Sequence, residues 1–125
     1  MEIDPLPITK YNLDENYSME KIAIPVDKNK LCKQFEECDS FVIFTLRNNY
    51  SMITYLEFGQ SSLLLPEWLA RHGITDLIAN HIEIYTIDKL NQLKIHVFAG
   101  VRTLLPQKIM DEYLSGTLET MDAPD

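Results

Sequence analysis

Apolar and polar positions divide the chain into eight segments of regular period. Lys21-Ile-Ala-Ile-Pro-Val26 is a short run rich in β-branched residues, the pattern of a buried strand. Pro25 stands near its end, where a missing amide donor is tolerated. A polar stretch from Asp27 to Asp39 follows, and then Ser40 to Leu46 is apolar again. Asn48-Asn49 marks a turn, and from Ser51 to Phe58 the residues Met52, Thr54, Leu56 and Phe58 alternate with their neighbours. Two strands joined by a short Asn-rich link predict an antiparallel hairpin.

The period then lengthens to that of a helix. Leu64, Leu65, Trp68 and Leu69 recur at helical spacing, with Ser61 or Ser62 as the expected cap and Pro66 in the first turn. Arg71-His72-Gly73 closes this helix, with basic residues at its negative end and a glycine able to turn left-handed. A short strand, Ile74 to Ala79, a helix from Ile84 to Leu93, a strand from Ile95 to Ala99 and a helix from Leu105 to Leu114, stopped near Gly116, complete the order. Strands separated by helices pair in parallel through right-handed crossovers. The expected fold is therefore α/β, with helices on both faces of a five-stranded mixed sheet of order 3-2-1-4-5 whose second strand is antiparallel. The strand order reverses between the first and fourth strands, and such sheets bind ligands there, beyond the carboxyl ends of the strands. The segments 27–39 and 80–83 meet at that point.

Composition narrows the function. A chain of 125 residues with 46% hydrophobic content forms one domain with a core of its own. We expect a flexible arm over 1–18, the domain over 19–118 and an acidic tail over 119–125. The net charge of −8 argues against nucleic acid, which demands a basic face. The arm and the tail each carry −3, so the body is close to neutral. The longest apolar runs fall far short of the ~18–20 residues of a membrane span, and the N-terminus lacks a signal-peptide pattern. The expectation is a cytoplasmic monomer in which Cys32 and Cys38 are reduced thiols and not a structural bridge.

A family resemblance rests on several of these segments. KIAIPVD, the loop ending QFEECDSFVIF, then GITDLIANHI, IHVFAG and EYLSGTL resemble the nitrogenase iron–molybdenum cofactor accessory family, the NifX-like proteins and the related domain of NifB, over about residues 20–118. The resemblance implies a ribonuclease-H-like three-layer fold and the binding or carriage of an iron–sulfur or iron–molybdenum cluster, with cluster donor and acceptor proteins as partners. Where family members carry Ser-x-His-Phe-Gly in the first loop, this chain has Gln34 for the histidine and Glu36 for the glycine, and it retains Phe35. Asn80 and Glu83 occupy glycine positions of the second loop. An amide is a poor iron ligand, and lost glycines close the approach of a bulky anionic cluster to backbone amides.

The residues themselves offer a replacement. Cys32 and Cys38 flank the altered motif, and soft thiolates suit iron–sulfur chemistry. Their spacing matches no specific cluster or zinc pattern, so two small, partly buried thiols are the competing reading. His81 stands between the altered glycines and is a substitute imidazole or an ordinary exposed loop histidine. The candidate cofactor-binding set is Cys32, Gln34, Phe35, Cys38, Asn80 and His81, with Cys32, Cys38 and His81 as the metal ligands. His72 reads as a helix-end partner, His96 as half-exposed, Asp27 as a bonder of loop amides and Arg102 as solvated. No phosphate-cradling loop, nucleophile elbow or His-Glu-x-x-His helix occurs, so binding is expected rather than catalysis. The alternative to a cluster carrier is a diverged module of the same fold that binds proteins or small ligands without metal.

Overall fold

The computed structural model describes residues 19–47, 50–59 and 64–120. The expected arm, the Asn48-Asn49 turn, Ser61, Ser62 and the end of the acidic tail lie outside them. The described elements run β1 (Met19–Asp27), β2 (Lys30–Leu31), a 3-10 turn (Phe35–Glu37), β3 (Ser40–Arg47), β4 (Tyr50–Glu57), α1 (Leu65–Arg71), β5 (Asp76–Ile78), α2 (Ile84–Gln92), β6 (His96–Phe98) and α3 (Pro106–Ser115).

The mixed α/β class is as expected, but the sheet has six strands and not five. Its main path is β4-β3-β1-β5-β6, and β2 pairs with β1 off that path. β3 is antiparallel to β1 and to β4, whereas β5 is parallel to β1 and to β6. The extra strand comes from the polar stretch after β1. Lys28 and Asn29 both take positive φ, 53° and 71°. That pair of values reverses the chain in two residues and brings Leu31 opposite Val26. A lysine at such a φ is uncommon, which is why the stretch reads as a loop from sequence.

Alternation along the strands sends side chains to two cores. Ala23, Phe41, Ile43 and Leu77 pack with Leu65, Trp68 and Leu69 of α1 and Leu90 of α2 on one face. Ile22, Ile24, Val42, Phe44 and Ile78 pack with Ile109 and Met110 of α3 on the other. One face is aromatic, since Trp68 contacts Phe41, Phe58 and the ring of His72. α1 has its proline in the first turn, as expected, but its N-cap is Leu64. His72 is its C-cap, and its Nδ1 lies 2.9 Å from the Trp68 carbonyl oxygen. Gly116 caps α3 at φ 77°, in the left-handed region where a side chain is strained. On the α3 face, burial first, then Asp76 and Glu20, push the Tyr113 phenol up to about 12, so it stays a neutral donor to Glu20.

Leu77 is fully buried at the middle of the sheet. Leu77→Ala is expected to destabilise the chain by about 3 kcal/mol, the usual cost of a leucine-sized cavity, read as a lowered denaturation midpoint in urea with unchanged slope.

Candidate functional site

The strand order reverses beside β1, and the segments after β1 and β5 meet there. Gln34 and His81 form a parallel bridge, in which the Phe35 amide donates to the His81 carbonyl at 2.9 Å and the His81 amide to the Lys33 carbonyl at 3.1 Å. Two further main-chain bonds hold the loop from the other side: the Leu31 amide donates to the Leu104 carbonyl and the Cys32 amide to the Pro25 carbonyl, both at 2.9 Å. Phe35 anchors the loop from beneath. It is 1% exposed and packs edge-on against Phe41, so it serves the core and does not face a ligand as expected.

The loop encloses a cavity of about 740 Å³ with Thr103, from the segment after β6. Cys32, Cys38 and Gln34 line it, together with Lys28, Lys30 and Lys33 and with Asp27, Glu37 and Asp39. Three lysines thus balance three carboxylates, leaving a neutral lining in a chain of charge −8. The expected partner segment, 80–83, does not line this cavity. His81 is exposed outside it, and the Asn80 side-chain amide donates to the Val101 carbonyl at 2.7 Å, tying the end of β5 to the end of β6. Among the described residues no three of His, Cys, Asp and Glu converge as metal ligands, so Cys32, Cys38 and His81 do not form the expected triad. Arg102 pairs with Glu112 at 3.5 Å, and His96 is exposed.

Cys32 and Cys38 are joined in a disulfide, which corrects the expectation of two free thiols. The 3-10 turn between them curls the chain so that their Cα atoms are 6.5 Å apart, a separation a disulfide spans. The linked residues are only 6 apart in sequence, so the bridge contributes about 2 kcal/mol of chain entropy, near the low end for disulfides.

Glu36 is the residue that sequence reasoning misjudged most. Its Oε2 accepts from the Glu83 amide at 3.0 Å and its Oε1 from Gln34 Nε2 at 2.6 Å. Glu83 is the N-cap of α2, and Glu36 also bonds the side chain of Thr86, three residues on. The carboxylate therefore takes the place that a glutamate in the first turn takes in a capping box, at the positive end of the helix. Desolvation alone would raise its pKa. The bonds from the Glu83 amide, Thr86, Gln34 and its own amide outweigh that and hold the carboxyl below the usual glutamate range. No signal in the sequence alone joins position 36 to the start of a helix beginning at 84.

A family model, dinitrogenase iron–molybdenum cofactor, matches residues 19–116. The chain belongs to that family. Its fold is similar to the crystal structure of PH0822, at 21% identity and TM-score 0.73 over 82% of this chain and 96% of that one. It is also similar to the apo form of the orange protein from Desulfovibrio gigas, at 15% identity and TM-score 0.69 over 87% and 98%. TM1290 from Thermotoga, of the DUF35 family, matches at 17% identity and TM-score 0.67 over 85% and 97%. At these identities the likeness is one of fold. No curated protein matches the sequence.

The depressed Glu36 carboxyl sets a sign for pH dependence. The unfolded chain takes up the proton at a higher pH than the folded one, so this contribution to stability is complete above about pH 4.3 and is lost as pH falls through the lower folded value. Glu36→Gln is expected to lower stability at neutral pH and to flatten the acid limb of a stability–pH profile taken by urea denaturation. Equal acid limbs in the two proteins would refute the capping role.

Proposed function

We propose that this chain is a small accessory protein that takes up a metal–sulfur cluster, iron–sulfur or iron–molybdenum, as transient cargo in the cavity under the 27–39 loop. The observation that carries the reading is the convergence of both cysteines of the chain on one cavity at the carboxyl end of the central strand. Family membership supports the class of cargo. In this reading the reduced Cys32 and Cys38 thiolates are the ligands and Gln34 forms the wall. The neutral lining leaves the two thiolates as the net charge of the site, which suits a cationic iron–sulfur core. His81, exposed and outside the cavity, takes no ligand role.

Two thiolates fill only part of the coordination of an iron–sulfur cluster. The remaining positions are left for a donor or acceptor protein, and a site that holds its cargo by half its ligands releases it readily. That is the behaviour of a carrier and not of an enzyme with a resident cluster.

One observation favours a second reading, a metal-free interaction module. Glu36 stands where family members carry glycine, and its carboxylate already occupies the start of α2, where an anionic cluster would otherwise find backbone donors. The two readings separate in an anaerobic reconstitution of the fully reduced protein with ferrous iron and sulfide. The carrier reading expects stoichiometric iron with a visible charge-transfer band, abolished in Cys32→Ser and in Cys38→Ser. Background iron in the parent protein would leave the metal-free module.

A further inference from the structure

The loop that carries the disulfide is held by other bonds as well. Main-chain bonds pin Leu31 to Leu104, Cys32 to Pro25, Phe35 to His81 and His81 to Lys33, and Phe35 fills the core below. Glu36 fastens the same loop to α2. The bridge ties no helix to the sheet; it spans the wall of the cavity from Cys32 to Cys38. A cross-link in a loop that is also fixed by other means, whose two residues are 8% and 6% exposed and line the cavity, is placed where a small reagent in the cavity meets it.

Resting on the cargo reading above, we infer that the Cys32–Cys38 disulfide is a reducible lock on the cavity. Oxidised, the pair offers no thiolate and the site takes no soft metal. Reduction by a dithiol opens it. One thiolate of the reductant attacks a sulfur of the bridge and forms a mixed disulfide, releasing the other cysteine as a thiolate. The second thiol of the reductant then displaces the remaining cysteine. The reductant leaves as its own disulfide, and two electrons and two protons pass to Cys32 and Cys38. The Gln34 carbonyl oxygen, 3.5 Å from Cys32 Sγ, is in place to accept the new thiol hydrogen. Because the loop keeps its bonds, the two sulfurs emerge already converged, as a chelating pair for a soft cation. Loading is thereby confined to reducing conditions.

The test uses the full-length protein in air-oxidised and dithiothreitol-reduced forms, with cadmium ion as the probe of a thiolate pair. Alkylation and intact mass are expected to count no reactive thiol in the oxidised form and two after reduction, with the far-ultraviolet circular dichroism unchanged. Cadmium is expected to bind the reduced form one to one, with a sulfur-to-metal charge-transfer band, and to bind the oxidised form at least 100-fold more weakly. Cys32→Ser and Cys38→Ser are each expected to bind cadmium weakly in either condition. Two reactive thiols in the air-oxidised protein, loss of folded signal on reduction, or equal cadmium binding by both forms would overturn the lock. Gated cadmium binding without cluster uptake would leave the lock standing and remove the cluster as its cargo. Cluster uptake by oxidised and reduced protein alike would do the reverse.

Discussion

The position of β1 between an antiparallel neighbour and a parallel one is the constraint on which the rest of this structure depends. Ile22, Ala23 and Ile24 are completely buried, with β3 on one side, β5 on the other and packed helices above and below. A strand so enclosed has both edges satisfied, and its chain leaves the sheet only at its end. The polypeptide departs at Asp27, at the place where the strand order reverses, and must double back before it can enter β3. The two-residue turn at Lys28 and Asn29 performs that reversal. The candidate site lies in the residues that follow: the paired cysteines, the anchoring phenylalanine and the carboxylate that reaches α2.

The same geometry changes what a substitution in the family motif means. Taken position by position, Glu36 reads as a lost glycine that closes the approach of a cluster to backbone amides. In the folded chain it is a remote helix cap, bonded to the Glu83 amide and to Thr86 across the junction of two loops. Gln34 supports it with its own amide while lending its backbone to the bridge with His81. The pair act as one unit that joins the first loop to the second helix.

Much of the fold was legible because periodicity and burial agree. The alternation of Ile22 and Ile24 against Ala23, and of Phe41 and Ile43 against Val42 and Phe44, foretells two cores on opposite faces of a sheet. Gly73 and Gly116 mark helix ends because their backbone values suit glycine. The sixth strand was not legible, since Lys28 carries no sign of a left-handed turn. In the site, the meeting of the two loops followed from topology, but the cavity opened toward Thr103 and not toward His81. Side-chain direction decided that, and a topological argument does not contain it. The disulfide escaped because it was argued from cellular compartment, whereas its formation depends on how tightly the chain curls between residues 32 and 38.

The main-chain bonding of the 27–39 loop also bears on how this chain can vary. Where a loop is fixed by its amides and carbonyls, its outward side chains are freed from the duty of holding shape, and selection can rewrite them one at a time. Proline is barred at Leu31, Cys32, Phe35 and His81, whose amides are donors, and Phe35 is held by its place in the core. The side chains of Lys28, Lys30, Lys33 and Glu37 line the cavity and take no part in that main-chain hold. The loop is thus a region of high evolvability set on a rigid base, so that lineages sharing this fold can diverge in what this loop presents while remaining alike in shape.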